Sequence, residues 1–158
     1  MKEETSSTLL VYGTIKDSLE AQQALKNTLE NKASMLLGFA GVMLALLIGA
    51  RETILLLAQS SQILIVTSIA LFGLSVLFAI VVTWVRSYRA DPNPEALAKN
   101  YLTKEPEKTR LQLISNLIGV WKDNKKILER NSVYLRLTFV AQAIAFLCLG
   151  VALLLSIL

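Results

Sequence analysis

The chain has no histidine and a single cysteine, Cys148. Without imidazole there is no histidine metal ligand, no histidine general base and no Ser–His pair. One thiol excludes an intrachain disulfide and a multi-cysteine metal site. Cys148 lies inside an apolar run, where it reads as a small buried residue. Neither a GxxxxGK[ST] loop, nor a dinucleotide-binding glycine pattern, nor an HExxH helix occurs. The carboxylates are scattered among Lys and Arg at helix-surface spacing rather than set as an acid–base pair. The chain is therefore not expected to be an enzyme, and no cofactor or metal is expected.

Charge is missing from three stretches. Residues 33–50, 63–85 and 137–158 contain no Asp, Glu, Lys or Arg. A charge at bilayer depth costs roughly 3 kcal/mol even on lenient insertion scales. The runs are 18, 23 and 22 residues long. At about 1.5 Å per residue they reach roughly 27, 34 and 33 Å as helices, against a hydrocarbon core of about 30 Å. The first run can continue past Arg51 and Glu52 to residue 58, which sets that charged pair near the outer interface. At 54% apolar and 18% charged residues, the composition is more apolar than that of an ordinary soluble domain. A small soluble protein has nothing in which to bury three such helices. A cleaved signal peptide is not expected, because the first run starts only at residue 33, and no lipidation motif is present. The lack of ionisable residues in the spans argues against ion-coupled transport, which usually keeps a carboxylate or basic residue at depth.

The Lys and Arg residues that do occur set a topology. Four precede the first span, one lies between the first two, eleven lie between the second and third, and none follows. Positive charge stays in the cytoplasm. The N-terminus and the connection 86–136 are thus expected inside, with a turn near residues 59–62 and the C-terminus outside. The sequence pI of about 9.3 is then a topology signal, and no nucleic-acid partner is expected. The expected division is a cytoplasmic tail and amphipathic helix over 1–32, a transmembrane hairpin over 33–85, a cytoplasmic connection with an amphipathic helix over 86–136, and a third span over 137–158.

Proline is scarce, with three residues confined to Pro92, Pro94 and Pro106. Residues 1–13 read as a loose tail ended by Gly13, and Thr14 with Asp17 reads as a helix start. From there Ile15, Leu19, Gln22, Leu25, Leu29, Ala33 and Leu36 form one apolar stripe that runs unbroken into the first span. Trp84 and Tyr88 suit an interfacial aromatic belt, with Arg86 and Arg89 at the headgroups. Asn93 and Pro94 can start a short helix over 95–102. Pro106 starts another, with a stripe of Leu111, Ile114, Ile118, Trp121, Lys125, Leu128, Ser132 and Leu135. No strong breaker separates it from the third span. The expected fold is an all-α membrane protein: three transmembrane helices, and a cytoplasmic helical stalk made by extensions of the first and third spans.

Small residues recur at four-residue spacing inside the spans. Gly41, Ala45 and Gly49 do so in the first, Ser75 and Ala79 (then Thr83) in the second, and Ala141 and Ala145 beside Gln142 in the third. Such faces let helices approach closely, either within one protomer or between protomers. Lys122, Lys125, Lys126 and Arg130 form the densest basic cluster, with Arg110 on the same helix. It suits attraction to anionic lipid, or an anionic ligand such as a nucleotide phosphate with Trp121 stacked on its base.

The stretch Asn31-Lys32-Ala33-Ser34-Met35-Leu36-Leu37-Gly38-Phe39-Ala40-Gly41-Val42 resembles the opening membrane motif of the Pycsar and SLATT-type transmembrane effectors of bacterial antiphage defence. Asn31, Lys32, Ala33, Leu37, Gly38 and Gly41 carry that resemblance. The approach to the last span, residues 134–140, adds to it, as does the order of helix, hairpin, amphipathic segment and final span. The resemblance implies an oligomeric inner-membrane effector that permeabilises or depolarises the bilayer when triggered. It also implies a trigger such as a cyclic nucleotide, cyclic pyrimidine nucleotides among them. The connection, about 50 residues long, holds no separate cyclic-nucleotide-binding domain. Sensing is therefore expected in the helical stalk, between protomers, or in another protein. The alternative reading is an accessory subunit that binds a larger membrane complex through its spans and stalk.

Overall fold

The structure is a computed structural model that describes residues 2–84, 88 and 105–157, with side chains from residue 7 onward. The described residues are almost all helical and include no strand. The elements are α1 (Lys2–Gly49), α2 (Arg51–Leu55), α3 (Gln59–Thr83) and α4 (Pro106–Ile157). Three of these helices are long and apolar enough to cross a membrane. The chain divides into two compact units, one formed by Met1–Asn27 and Val85–Glu129, the other by Thr28–Trp84 and Arg130–Leu158. The expected short helix over 95–102, its Asn93 and Pro94 start, and the headgroup arginines Arg86 and Arg89 lie outside the described residues.

The second unit is a three-helix bundle with a seven-residue rhythm. The buried residues of α3 are Ser61, Ile65, Ser68, Phe72, Ser75, Ala79 and Val82, alternating steps of four and three. On α4 every seventh residue is buried from Asn131 through Thr138 and Ala145 to Ala152. On α1 the matching residues are Ala33, Ala40 and Leu47. This is the spacing of a left-handed helical seam. Much of it is small. In lipid, apolar surface gains little by leaving one hydrocarbon for another, so close van der Waals approach and interhelical hydrogen bonds must hold the helices. Fully buried Ala40, Ala145 and Ala152 supply the close approach, and with Leu47, Ile65 and Phe72 they form the apolar core. The Phe146 ring of α4 sits 5.3 Å from Phe39 of α1 and 5.3 Å, edge-on, from Phe72 of α3.

Polar side chains complete the seam. Gln142 Nε2 donates to the Leu36 carbonyl at 2.8 Å and to Ser75 Oγ at 3.4 Å, so one amide on α4 ties α1 and α3 together. Ser68 Oγ lies 2.9 Å from the Ala145 carbonyl and 3.0 Å from that of Leu64, which share its single proton. Asn131 Nδ2 reaches the Val82 carbonyl at 3.5 Å. Outward, Met35, Val42, Leu46, Val66, Leu77, Phe139 and Leu147 are exposed. So much apolar surface is untenable in water and ordinary against lipid.

The hairpin turn lies at residues 56–58, just ahead of the 59–62 expected from sequence. Gln59–Gln62 instead forms the first turn of α3. The Gln62 side chain donates to the Leu55 and Leu57 carbonyls, each at 3.0 Å, satisfying the end of α2. Arg51 and Glu52 are exposed on α2, a separate short helix rather than a continuation of α1.

Two sequence expectations are corrected, the first of them in the first unit. No break occurs at Gly13, and α1 is already helical at Lys2. Thr14 is not a cap but an interior residue whose hydroxyl donates to the Leu10 carbonyl at 2.9 Å. One glycine costs a helix about 1 kcal/mol, less than the turns on either side recover. A Cβ added at Gly13 would meet no atom within 4 Å. Gly13→Ala should therefore stabilise the first unit by about 1 kcal/mol, seen as slower amide exchange over residues 9–17. Unchanged exchange there would mean a break at Gly13.

The α4 stripe is the second correction. Lys125 is exposed, and the buried positions are Leu117, Asn124, Leu128 and Asn131. Sequence hydropathy had set the seam one position too far along, because it read two core asparagines as surface.

Candidate functional site

The sequence singled out six residues of α4, and the structure brings two of them into one groove. Thr14, Ile15 and Ser18 of α1 face Ile118, Trp121 and Lys122 of α4 across a groove of about 240 Å³ in the first unit. Gln22 locks this pair of helices. Its Nε2 donates to the Trp121 carbonyl at 3.2 Å, while its buried Oε1 has no partner among the described residues. That bond lies one turn beyond Ser18 and holds the Trp121 turn against α1.

The groove carries three kinds of chemistry. Trp121 is half-buried and offers an indole edge and face, and Lys122 is exposed and offers an ammonium. The Thr14 and Ser18 hydroxyls each donate to the carbonyl four residues back, at 2.9 Å. Their lone pairs remain free to accept from a ligand. Ile15 and Ile118 make the apolar floor.

The other four cations stand outside the groove. Lys125 Nζ lies 5.3 Å from the Trp121 ring centroid and 3.9 Å from a Glu129 carboxylate oxygen. It thus occupies one face of the indole. Arg110 is half-buried nearer the start of α4, and Lys126 is exposed. Arg130 is exposed and belongs to the second unit. Thr14 and Ser18 were missed from sequence. Their only signal was a pair of hydroxyls one turn apart, flanking the Ile15 and Leu19 stripe. Elsewhere in the first unit, Tyr88 receives the Lys26 ammonium 5.5 Å from its ring centroid. Burial raises the Tyr88 phenol above its ordinary value, and the Asn124 side chain opposes the shift.

The small-residue faces divide cleanly. Ser75, Ala79, Ala141, Gln142 and Ala145 are buried within the second unit. Gly41, Ala45 and Gly49 are exposed, because α1 packs through Ala33, Ala40 and Leu47 instead. A Cβ added at Gly38, Gly41 or Gly49 would meet nothing within 4 Å. In the motif that carries the resemblance, Asn31, Lys32, Gly38 and Gly41 are exposed, and Ala33 is fully buried.

The family model for the Pycsar effector protein domain matches residues 15–158. The chain belongs to the Pycsar effector family. It is a multi-pass membrane protein and an effector of antiphage defence. The match begins at Ile15, inside α1, and covers every groove residue except Thr14. No curated protein and no solved structure matches this Pycsar effector.

Proposed function

We propose that this Pycsar effector is an oligomeric, non-catalytic membrane protein that permeabilises or depolarises the bacterial inner membrane when a cyclic nucleotide binds its first unit. The N-terminus and the first unit lie in the cytoplasm and the C-terminus outside, as the Lys and Arg asymmetry favours. The observation that carries the reading is the groove, which sets an indole, an ammonium and two hydroxyls together on the two helices that continue into spans. An indole suits a base, an ammonium a cyclic phosphate, and hydroxyl lone pairs a ribose hydroxyl or an exocyclic amine. Family membership supports the nucleotide as trigger, with cyclic pyrimidine nucleotides the first to try. The open Gly38, Gly41, Ala45 and Gly49 face of α1 supports assembly, since it admits a neighbouring helix backbone at close range.

The test is a reconstitution. The purified chain goes into vesicles that hold a potassium gradient, and a potential-sensitive dye is read after each cyclic nucleotide of a panel is added. Depolarisation by one nucleotide, lost in Gly41→Leu while its helical content is kept, is the expected result. If every nucleotide leaves the potential intact and the chain is stable only beside another membrane protein, it is an accessory subunit.

A further inference from the structure

The second unit contains an open cleft of about 620 Å³ that the proposed trigger does not use. It lies between α1 and α4 and is lined by Lys32, Met35, Leu36, Leu135, Arg136, Phe139 and Val140. Its walls are apolar apart from two cations. Lys32 is the last charge before the charge-free run 33–50, and Arg136 is the last before 137–158. Both therefore stand at the end of a membrane-crossing stretch, where the headgroup phosphates of one leaflet lie. Fully buried Ala33 fixes the turn of α1 that leaves Lys32 exposed, and fully buried Thr138 does the same for Arg136 on α4. Among the described residues neither cation has a carboxylate partner. Below them Met35, Phe139 and Val140 are 75%, 63% and 52% exposed, which leaves apolar surface open along the cleft.

We propose that this cleft is a binding site for one anionic phospholipid, with its phosphate between Lys32 and Arg136 and an acyl chain along Met35, Leu36, Phe139 and Val140. Charge complementarity selects the headgroup: two unpaired cations meet an anion, and a zwitterionic lipid brings its own cation to the same place. The apolar walls select a lipid over a soluble phosphate, which would leave them uncovered. The volume falls within the roughly 300–1,000 Å³ that accommodates small ligands. Lys32 belongs to the Asn31-Lys32-Ala33 element on which the sequence resemblance rests. The site gives that lysine a role beyond orienting the first span.

Native mass spectrometry of the full-length chain in mild detergent tests the assignment, with phosphatidylglycerol and phosphatidylcholine of equal chain length titrated in competition. The expected result is retention of one phosphatidylglycerol per protomer, with a preference of about tenfold, the ratio that one good charge-assisted contact supports. Lys32→Gln with Arg136→Gln should bring the two lipids to near parity, and Lys16→Gln with Lys108→Gln should leave the preference intact. Met35→Trp, which fills the apolar part without touching a charge, should weaken both lipids. Equal retention of the two lipids by the native chain would overturn the proposal. So would displacement of the bound lipid by glycerol phosphate at matched concentration, because the phosphate alone would then account for binding.

Discussion

Ala145→Leu should lower the unfolding temperature of the detergent-solubilised protein by about 5–10 °C, whereas Ala143→Leu should leave it nearly unchanged. Ala145 is fully buried in the core cluster with Phe72 and Ala152, and its carbonyl accepts from Ser68 across the helix interface. Leucine brings three more carbons to a place where the neighbouring helix already lies at contact distance. The side chain must leave its preferred rotamer, or α3 must move away and lose the 2.9 Å bond. Overpacking of this kind costs about 1–3 kcal/mol, and each kcal/mol is worth roughly 2–4 °C in a chain of this size. Ala143 is exposed, so leucine there meets only lipid or detergent. Circular dichroism at the helical minimum follows both variants. Equal effects from the two would mean that α4 does not present Ala145 to the bundle.

The second large effect belongs to the groove. Lys122→Glu should weaken binding of the triggering cyclic nucleotide at least tenfold and remove depolarisation at concentrations that activate the native chain. Reversing this charge takes away a charge-assisted hydrogen bond to phosphate, worth about 1.5–3 kcal/mol, and adds repulsion. Trp121→Leu should cost a further tenfold or so through lost stacking. Lys126→Glu is the control, because Lys126 is exposed and outside the groove. It should change affinity by no more than about twofold once salt screens it. Titration calorimetry on the three variants reads the difference. Equal losses from Lys122→Glu and Lys126→Glu would mean that general positive charge attracts the ligand and that the groove is not its site.

The three spans and the hairpin were legible in the sequence because a single strong term writes them. Charge is excluded from a helix that must sit in hydrocarbon, and that exclusion needs no knowledge of neighbours. The long helices were legible for a similar reason, since the prolines are confined to 92–106. The register of α4 was not. Asn124 and Asn131 are buried, yet hydropathy assigns asparagine to the surface and gives the seam to Lys125 and Ser132. Only the packing of a second helix shows that an amide is wanted there. Gly13 misled for the opposite reason. Its local preference is real but small, and the helix around it wins. The basic cluster was visible as a run of cations, but their separation was not. One turn sends Lys122 into the groove, Lys125 onto the Trp121 ring and Lys126 to solvent, and the α1 half of the groove lies about a hundred residues away in the chain.

Ser61, Ser68 and Ser75 repeat at seven-residue intervals along α3, with Ile65, Phe72 and Ala79 repeating between them. A slide of α3 by one heptad would put serine where serine had been. The serines therefore do not by themselves say which alignment is correct. What breaks the degeneracy is the set of residues between them, which differ in size at each step, Phe72 being the one that meets the Phe146 ring edge-on. Alignment is thus stored in the apolar steps of the seam, while the serines alone form a repeating track.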